Sequence, residues 1–269
     1  MSDYELGVIG AGNMAEALLR GVIGGNVLHH GSIVVADPVL ERRRLLLDAL
    51  HIAVVEDNAV PAACPRVLLA VKPQVLGRVL EHIAPVVRPD AMVISIAAGV
   101  PTRRIDAALG GRGRILRVMP NTPMLVGAGA AAVAPGPRAT DDDLRWVERL
   151  FAACGSTCVV AESAIDAVTA VSGSGPAYFF YLIEAMIAAA VAEGLESDQA
   201  ARLAAQTCAG AARLLAETGE RPEVLRARVT SPGGTTQRAV ETLDAAGVKD
   251  ALIRAVRAAA ARSRELGQG

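Results

Sequence analysis

Near residue 162 the chain changes its period, and this constrains the fold more than any other feature of the sequence. Up to that point short β-branched runs alternate with helical patterns. "ELGVIG", "SIVVAD", "RVLLAV", "MVISIA", "ILRVMP" and "STCVVA" read as strands, while Asn13–Ile23, Val39–Leu50, Gln74–Ile83 and Asp141–Ala153 read as helices. Such alternation implies right-handed crossovers and a mostly parallel sheet covered on both faces. Thr140 followed by three aspartates marks a helix start, with a cap and negative charge at the positive end of the dipole. After residue 163 the strands stop. Helical patterns fill roughly 164–194, 197–218, 222–229, 235–246 and 248–266, and Pro176 suits a first-turn position.

Several of these later helices are apolar around most of their circumference, notably "AYFFYLIEAMIAAAVA". A helix apolar all round must be buried, and a tail of this length has little core of its own. The tail is therefore expected to pack against another subunit. Apolar residues make up 52% of the 269, but aromatics only 3%, so Ala, Val, Leu and Ile must build a core whose small side chains allow close helix packing. A net charge of −1 leaves no electrostatic footprint for nucleic acid or an anionic membrane. Cys64, Cys154, Cys158 and Cys208 show neither a disulfide framework nor paired zinc-ligand spacing, so no metal is expected. Asp3 and Glu5 precede the first apolar run where a leader would carry basic residues. The longest apolar candidate, Ala177 to Ala192, carries Glu184 and is shorter than a bilayer crossing needs. These readings point to a cytoplasmic protein without a membrane span.

"VIGAGNMAEAL" sets Gly10, Gly12 and Ala15 as G-x-G-x-x-A directly after a strand and opening a helix. In a dinucleotide-binding turn the first glycine permits the tight bend, the second lets backbone approach a pyrophosphate, and the small third residue lets helix and sheet pack closely. The pyrophosphate sits at the helix N-terminus, where free N–H groups and the dipole favour anions. The competing reading is a purely structural tight turn. The next strand ends in Asp37, 25 residues beyond Gly12, near the spacing of an acidic ribose ligand. A carboxylate there accepts from a 2′-hydroxyl and repels a 2′-phosphate. Arg42, Arg43 and Arg44 follow, either as a cation for that phosphate or as a solvated helix face, so NAD and NADP both stay open. "AVKPQ", "SIAAG" and "RVMPNTP" close three further strands on the same sheet edge, where a doubly wound sheet binds its ligand.

In the tail, "VTSPGGTTQRAVETL" interrupts the helices. Pro232-Gly233-Gly234 ends one helix and Thr235 starts the next, exposing consecutive N–H groups suited to a carboxylate. Ser231, Thr235 and Thr236 add hydroxyls that can donate to an oxygen or accept from a ring N–H. The alternative is a plain helix–helix turn, which seldom needs two glycines and three hydroxyls together.

"GAGNMAEAL", "VKPQ", "ISIAAG", "RVMPNTP", "SGSGPAYFF" and "VTSPGGTTQRAVETLD" follow one another almost end to end as in pyrroline-5-carboxylate reductases, and the chain resembles that family. The last two motifs are the specific ones. The resemblance implies an α/β N-terminal Rossmann-like doubly wound domain, 1–162, and an all-helical C-terminal dimerisation and substrate domain, 163–269. It implies reduction of a cyclic imine to L-proline by NADPH or NADH, in homodimers often assembled as a decamer of five dimers. Residue by residue, it gives the pyrophosphate to Gly10, Ala11, Gly12, Asn13 and Met14, and the adenosine and ribose side to Asn58, Val71, Lys72 and Pro73. Ala97, Asn121 and Pro123 would face the nicotinamide; Ser231, Gly233, Gly234, Thr235 and Thr236 would bind substrate, with Ser174 and Pro176 nearby. Asp37 stands where NADPH-preferring members commonly carry an uncharged residue, so NADP(H) is expected with NAD(H) used better than is usual in the family. Thr236 is the residue expected to bond the imine nitrogen. All four histidines lie outside the substrate motifs, so no side-chain general acid is expected. Two rivals stand beside this reading. A related imine or 3-hydroxyacid reductase would typically use a lysine in its helical domain, but Lys249 is the only lysine after residue 72. A non-catalytic NAD(P)-binding sensor would need the dinucleotide turn but not "SPGGTT".

Overall fold

A computed structural model describes residues 4–268, so Asp3 lies outside the described residues. Through the first half, β1 (Leu6–Ile9), α1 (Asn13–Gly24), β2 (Ile33–Ala36), α2 (Leu40–Leu50), β3 (Ala53–Val55), α3 (Ala59–Ala62), β4 (Arg66–Leu69), α4 (Pro73–Ile83) and β5 (Met92–Ser95) follow in turn. The sheet is then completed by α5 (Thr102–Ala108), β6 (Arg114–Met119), β7 (Gly129–Pro135), α6 (Asp141–Ala152) and β8 (Gly155–Val159). The strand order is β3-β2-β1-β4-β5-β6-β7-β8. Every neighbouring pair is parallel except β6 and β7, where Val118 lies opposite Val133. The order reverses between β1 and β4, which sets a topological switch point at the end of β1.

Two strands and two helices had no counterpart in the sequence reading. β3 is three half-buried residues at the sheet edge, too short for a periodic signal. β7, "GAAAVAP", is mostly alanine and ends in proline, so it lacks the β-branched run that marks a strand. Its place comes from tertiary pairing on both sides, with β6 and β8. α3 and α5 are short, and α5 follows Pro101, which presets an extended entry.

Each face of the sheet is sealed by helices. Leu18, Leu19 and Val22 of α1, Leu46 of α2 and Trp146, Leu150 and Phe151 of α6 cover one face; Leu76, Leu80 and Ile83 of α4 with Ile105 of α5 cover the other. Full burial of such side chains stabilises the fold by roughly 1.5–3 kcal/mol each. The start of α6 carries the capping box expected from Thr140, closed by Asp143.

Beyond β8 a single helical run extends from Glu162 to Ala192. It passes through α7 (Ile165–Val168), a wide π-turn at Thr169–Gly173 and α8 (Gly175–Ala192). Ser174 N–H donates to Thr169 O at 2.8 Å, the i→i−5 bond that lets the run continue into Pro176. The run is 31 residues long, more than the Ala177–Ala192 stretch read from the sequence, and an 18-residue window of it reaches a mean hydropathy of 1.5, so it is long and apolar enough to cross a membrane by length and composition only. Then come α9 (Ser197–Thr218), α10 (Pro222–Arg228), α11 (Thr235–Ala245) and α12 (Val248–Gln268).

The chain forms two compact units, one running through Ser174 and taking in the chain again from Ala259, the other Gly175–Ala258. Ile165 and Val168 pack on Ala132 and Ala134 of β7, within the first unit. In the second unit α8 and α9 pack as a helical hairpin. Among its described residues only Ala200 and Ala204 are buried hydrophobics, while Phe179, Phe180, Tyr181 and Leu182 are more than half exposed.

Candidate functional site

The first unit gathers one set of the expected residues at the carboxyl ends of its strands. Gly10 leaves β1 with φ +102°, and a Cβ there would lie 2.7 Å from the Ala70 carbonyl oxygen, so the turn admits only glycine without strain. Gly12 caps α1 in an extended conformation with no side-chain cap. A Cβ built on it meets nothing within 4 Å, so the backbone is open to an approaching group. The first N–H groups of α1, at Asn13 and Met14, point out of the helix end as in every α-helix. Ala15 is buried against the sheet. These features fit a pyrophosphate.

Asp37 follows β2 and turns inward. Its Oδ2 accepts the Ala11 N–H at 2.7 Å and its Oδ1 the Val39 N–H at 2.9 Å. The carboxylate thus braces the glycine turn while keeping further lone pairs for a hydroxyl. Arg42 and Arg43 are held against the glycine turn and do not form a solvated helix face. Arg42 donates to Ala11 O at 2.6 Å and to Glu16 at 2.7 Å, and Arg43 donates to Asp37 O at 2.6 Å. Burial works to raise the Glu16 pKa, but hydrogen bonds from Arg42 and Arg20 outweigh it and hold the carboxyl below its ordinary range. Arg44 remains exposed.

Val71 flanks Gly10, whose Cβ would stand 3.0 Å from Val71 Cγ1; Lys72 caps α4 and Pro73 opens it, both exposed. Asn58 is half-buried at the cap of α3. Ala97 is buried just after β5, its N–H donating to Ser95 Oγ at 3.3 Å. Asn121 follows β6 and spends its amide on the fold, donating to Ser172 O at 3.2 Å and accepting the Ala130 N–H at 2.8 Å. Pro123 is the second residue of the 3-10 turn Thr122–Val126. Ser174, half-buried, closes the π-turn.

The second set lies in the other unit, between α10 and α11. Gly233 has φ +71° and its N–H donates to Gln237 Oε1 at 2.7 Å. Gly234 N–H donates to Ser231 O at 3.0 Å, and a Cβ at Gly234 would strike the Ser231 hydroxyl. Two of the N–H groups read as a cradle are therefore used within the loop. The remaining donors are those of the first turn of α11, at Thr235 and Thr236, with the hydroxyls beside them. Thr235 and Ser231 are exposed and Thr236 is half-buried.

Sequence reasoning missed Gln237, which reaches back one turn to fix Gly233, and Ser95, which holds Ala97. It also missed a buried charge network on the first unit. Arg117, 6% exposed in β6, lies 3.8 Å from Glu162, which accepts both the Thr102 N–H and the Thr102 hydroxyl at 2.6 Å. A guanidinium inside "ILRVM", a strand otherwise apolar, was the visible signal.

Residues 162–266 match the model of the family described as pyrroline-5-carboxylate reductase dimerisation, and residues 5–99 that described as NADP oxidoreductase coenzyme F420-dependent. The pyrroline-5-carboxylate reductase of Methanosarcina acetivorans is 43% identical over 269 residues, covering all of both chains. The solved structure of a pyrroline-5-carboxylate reductase from Coxiella burnetii superposes with a TM-score of 0.93 at 36% identity, covering 98% of each chain. The Plasmodium falciparum pyrroline carboxylate reductase, solved with NADP bound, gives 0.87 at 29% identity over 99% of each.

Proposed function

The chain belongs to the pyrroline-5-carboxylate reductase family, and from that membership we propose that it reduces 1-pyrroline-5-carboxylate to L-proline. It is an NAD(P)H-dependent oxidoreductase acting on a CH–NH bond, and its helical half is a dimerisation module, so the protein is a homo-oligomer. The similarity over the whole chain, through both glycine-bearing loops, is the observation that carries this reading. The reduced nicotinamide supplies the hydride that the imine carbon receives. NADP(H) is the cofactor, with NAD(H) accepted as well.

The chain's own residues bind and orient. Gly10, Ala11, Gly12, Asn13 and Met14 take the pyrophosphate at the N-terminus of α1. Asp37, Asn58, Val71, Lys72 and Pro73 serve the adenosine and ribose side, and Ala97, Asn121 and Pro123 the nicotinamide side. Asn121 acts there through its backbone and position, since its amide is engaged with Ser172 and Ala130. Ser231, Gly233, Gly234 and Thr235, with Ser174, take the substrate carboxylate and ring. Thr236 bonds the imine nitrogen and holds the C=N carbon for transfer. Alignment rather than acid–base chemistry supplies most of the rate; the iminium is protonated before it binds or through water.

As a functional division, 1–162 binds dinucleotide and 163–269 dimerises and binds substrate. The finer assembly is five homodimers in a decamer, and the enzyme works in the cytoplasm. The test follows oxidation of NADPH and NADH with racemic pyrroline-5-carboxylate, beside 3-hydroxyacids assayed in reverse. Turnover of the imine alone is expected. Turnover only of the hydroxyacids, or tight NAD(P)H binding without turnover of either, overturns the reading.

A further inference from the structure

The far end of α12 lies against the loop between β5 and α5. Gly99, in the middle of that loop, has φ +73°, and a Cβ there would stand 3.3 Å from Leu266 Cβ and 3.5 Å from the Leu266 carbonyl. A Cβ on Gly267 would stand 3.3 Å from the Gly99 oxygen. The Gly99 backbone thus meets Leu266 and Gly267 at close range. One turn earlier Ser263, 5% exposed, donates from its hydroxyl to Asp166 Oδ1 at 2.6 Å. Burial lowers the Arg117 pKa by more than the nearby charges of Glu162 and Asp166 raise it, and Glu162 holds the backbone and hydroxyl of Thr102. Thr102 opens α5 and closes the same loop.

The loop is therefore held at its middle by Leu266 and Gly267. It is held at its end by Glu162, and Asp166, four residues further along the same helical run, takes the Ser263 hydroxyl from the preceding turn of α12. Its own residues are Ile96, Ala97, Ala98, Gly99, Val100 and Pro101, and the three central ones are too small to fix it by packing. At its start the Ile96 N–H to Leu69 O bond, 3.1 Å, and the Ala97 N–H to Ser95 contact tie it down. Hydride transfer is sensitive to this kind of slack, since a misplacement of about 1 Å can cost on the order of 10²-fold in rate.

We propose that the last turns of α12, through Ser263 and Leu266, are positioning elements that hold the β5–α5 loop so that Ala97 presents a fixed wall to the nicotinamide. The proposal rests on the placement of Ala97 beside that ring given above. Two changes to the tail test it, Ser263→Ala and a chain ending at Ala261, beside Ala97→Leu, which crowds the wall and leaves the tail alone. Binding of NADPH and of ADP-ribose, which lacks the nicotinamide, is measured by calorimetry. The deuterium isotope effect on kcat with 4-deuterated cofactor is recorded alongside.

The tail variants should bind ADP-ribose within about twofold of the native chain and NADPH about tenfold more weakly, with a lower kcat and a larger isotope effect, inside the ~10²-fold bound for misplacement. Ser263→Thr keeps the hydroxyl and should restore most of the loss. If both tail variants bind NADPH and turn over as the native chain does while Ala97→Leu weakens NADPH, the positioning role alone is overturned. It is equally overturned if ADP-ribose and NADPH weaken together, since the tail then only holds the fold. If Ala97→Leu leaves NADPH affinity unchanged, the placement of Ala97 fails, and the proposal falls with it.

Discussion

In the first unit Leu18, Leu19, Leu76 and Ile83 disappear between sheet and helix; in the second, Phe179, Phe180, Tyr181 and Leu182 stand more than half exposed on α8. Both stretches are rich in apolar side chains, and the difference lies in the layers available. An eight-stranded sheet offers two faces, and each takes a row of amphipathic helices. The α8–α9 hairpin has no sheet, and among its described residues only Ala200 and Ala204 are buried hydrophobics. The apolar content of a segment fixes how much surface must be buried, while the architecture around it decides whether its own chain can do so. Here the second unit's shortfall falls within the residues that match the dimerisation family.

The largest expected effect comes from attacking that shortfall. Phe180→Glu puts a carboxylate on the α8 face, and burying an unpaired charge costs several kcal/mol in real proteins. Sedimentation should show monomer or aggregate in place of the oligomer, with activity falling more than about 100-fold, the equivalent of roughly 2.7 kcal/mol. Val86→Glu, on the exposed surface of the first unit, should leave assembly intact. Normal assembly of Phe180→Glu would show that α8 is covered by something other than a second copy.

Next in size is Thr236, which is half-buried where its neighbour Thr235 is exposed. A hydrogen bond to a charged partner contributes about 1.5–3 kcal/mol. Thr236→Ala should then lower kcat/KM by about 10- to 150-fold, at 1.36 kcal/mol per tenfold. Thr236→Ser should recover most of it, and NADPH affinity should stay nearly constant. A loss within about twofold, well under 1 kcal/mol, would reduce Thr236 to a first-turn residue of α11 and pass the role to Ser231 or Thr235.

The fold and the site were unequally legible. Strands such as "SIVVAD", buried on both faces, announce themselves by β-branched runs, and the Thr140 box by its aspartates. β7 did not, because alanine carries no strand signal and the strand exists by pairing with β6 and β8. The glycine positions of both loops were readable, since positive φ leaves a residue-type mark: Gly10 at +102° and Gly233 at +71°. Their hydrogen-bond partners were not, because they come from residues distant in sequence or chosen by rotamer. Asp37 bracing Ala11, Gln237 occupying the Gly233 N–H, and Glu162 reaching Thr102 60 positions away are of this kind.

Asp37 sharpens the contrast from the first unit's side, where function is expected to ride on a rigid, buried frame. Asp37→Ser removes a negative charge from the ribose end and should raise the NADPH-to-NADH ratio of kcat/KM by about tenfold, close to 1.4 kcal/mol. It also removes the acceptor for the Ala11 and Val39 N–H groups, so both cofactors should bind somewhat more weakly. An unchanged ratio with weaker binding of both would make Asp37 a brace of the turn and nothing more.

The smallest functional effect is expected at Asp143, which supports the frame at the opposite edge of the sheet from the Gly10 turn. Arg114, the first residue of β6, donates to its two oxygens at 2.7 and 2.8 Å, and the Thr140 N–H donates at 2.9 Å. Burial works to raise the Asp143 pKa, but Arg114 and Thr140 outweigh it and hold the carboxyl below its ordinary value. The unfolded chain therefore takes up this proton first as pH falls. The stabilisation is complete above the unfolded value near 3.9 and is lost as pH drops from there through the lower folded value. Asp143→Asn removes that dependence, whose slope for one proton is at most about 1.4 kcal/mol per pH unit. At neutral pH it should cost about 2 kcal/mol, the scale of a charged hydrogen bond, because Arg114 is partly exposed and water relieves the orphaned guanidinium. Urea denaturation at a series of pH values would show this as a native stability curve that falls below about pH 4 and a flatter one for the variant. The oligomer mass should hold and kcat/KM stay within about twofold, under 0.5 kcal/mol. Parallel curves through the acid range would mean that the pair leaves the Asp143 carboxyl where an exposed aspartate has it.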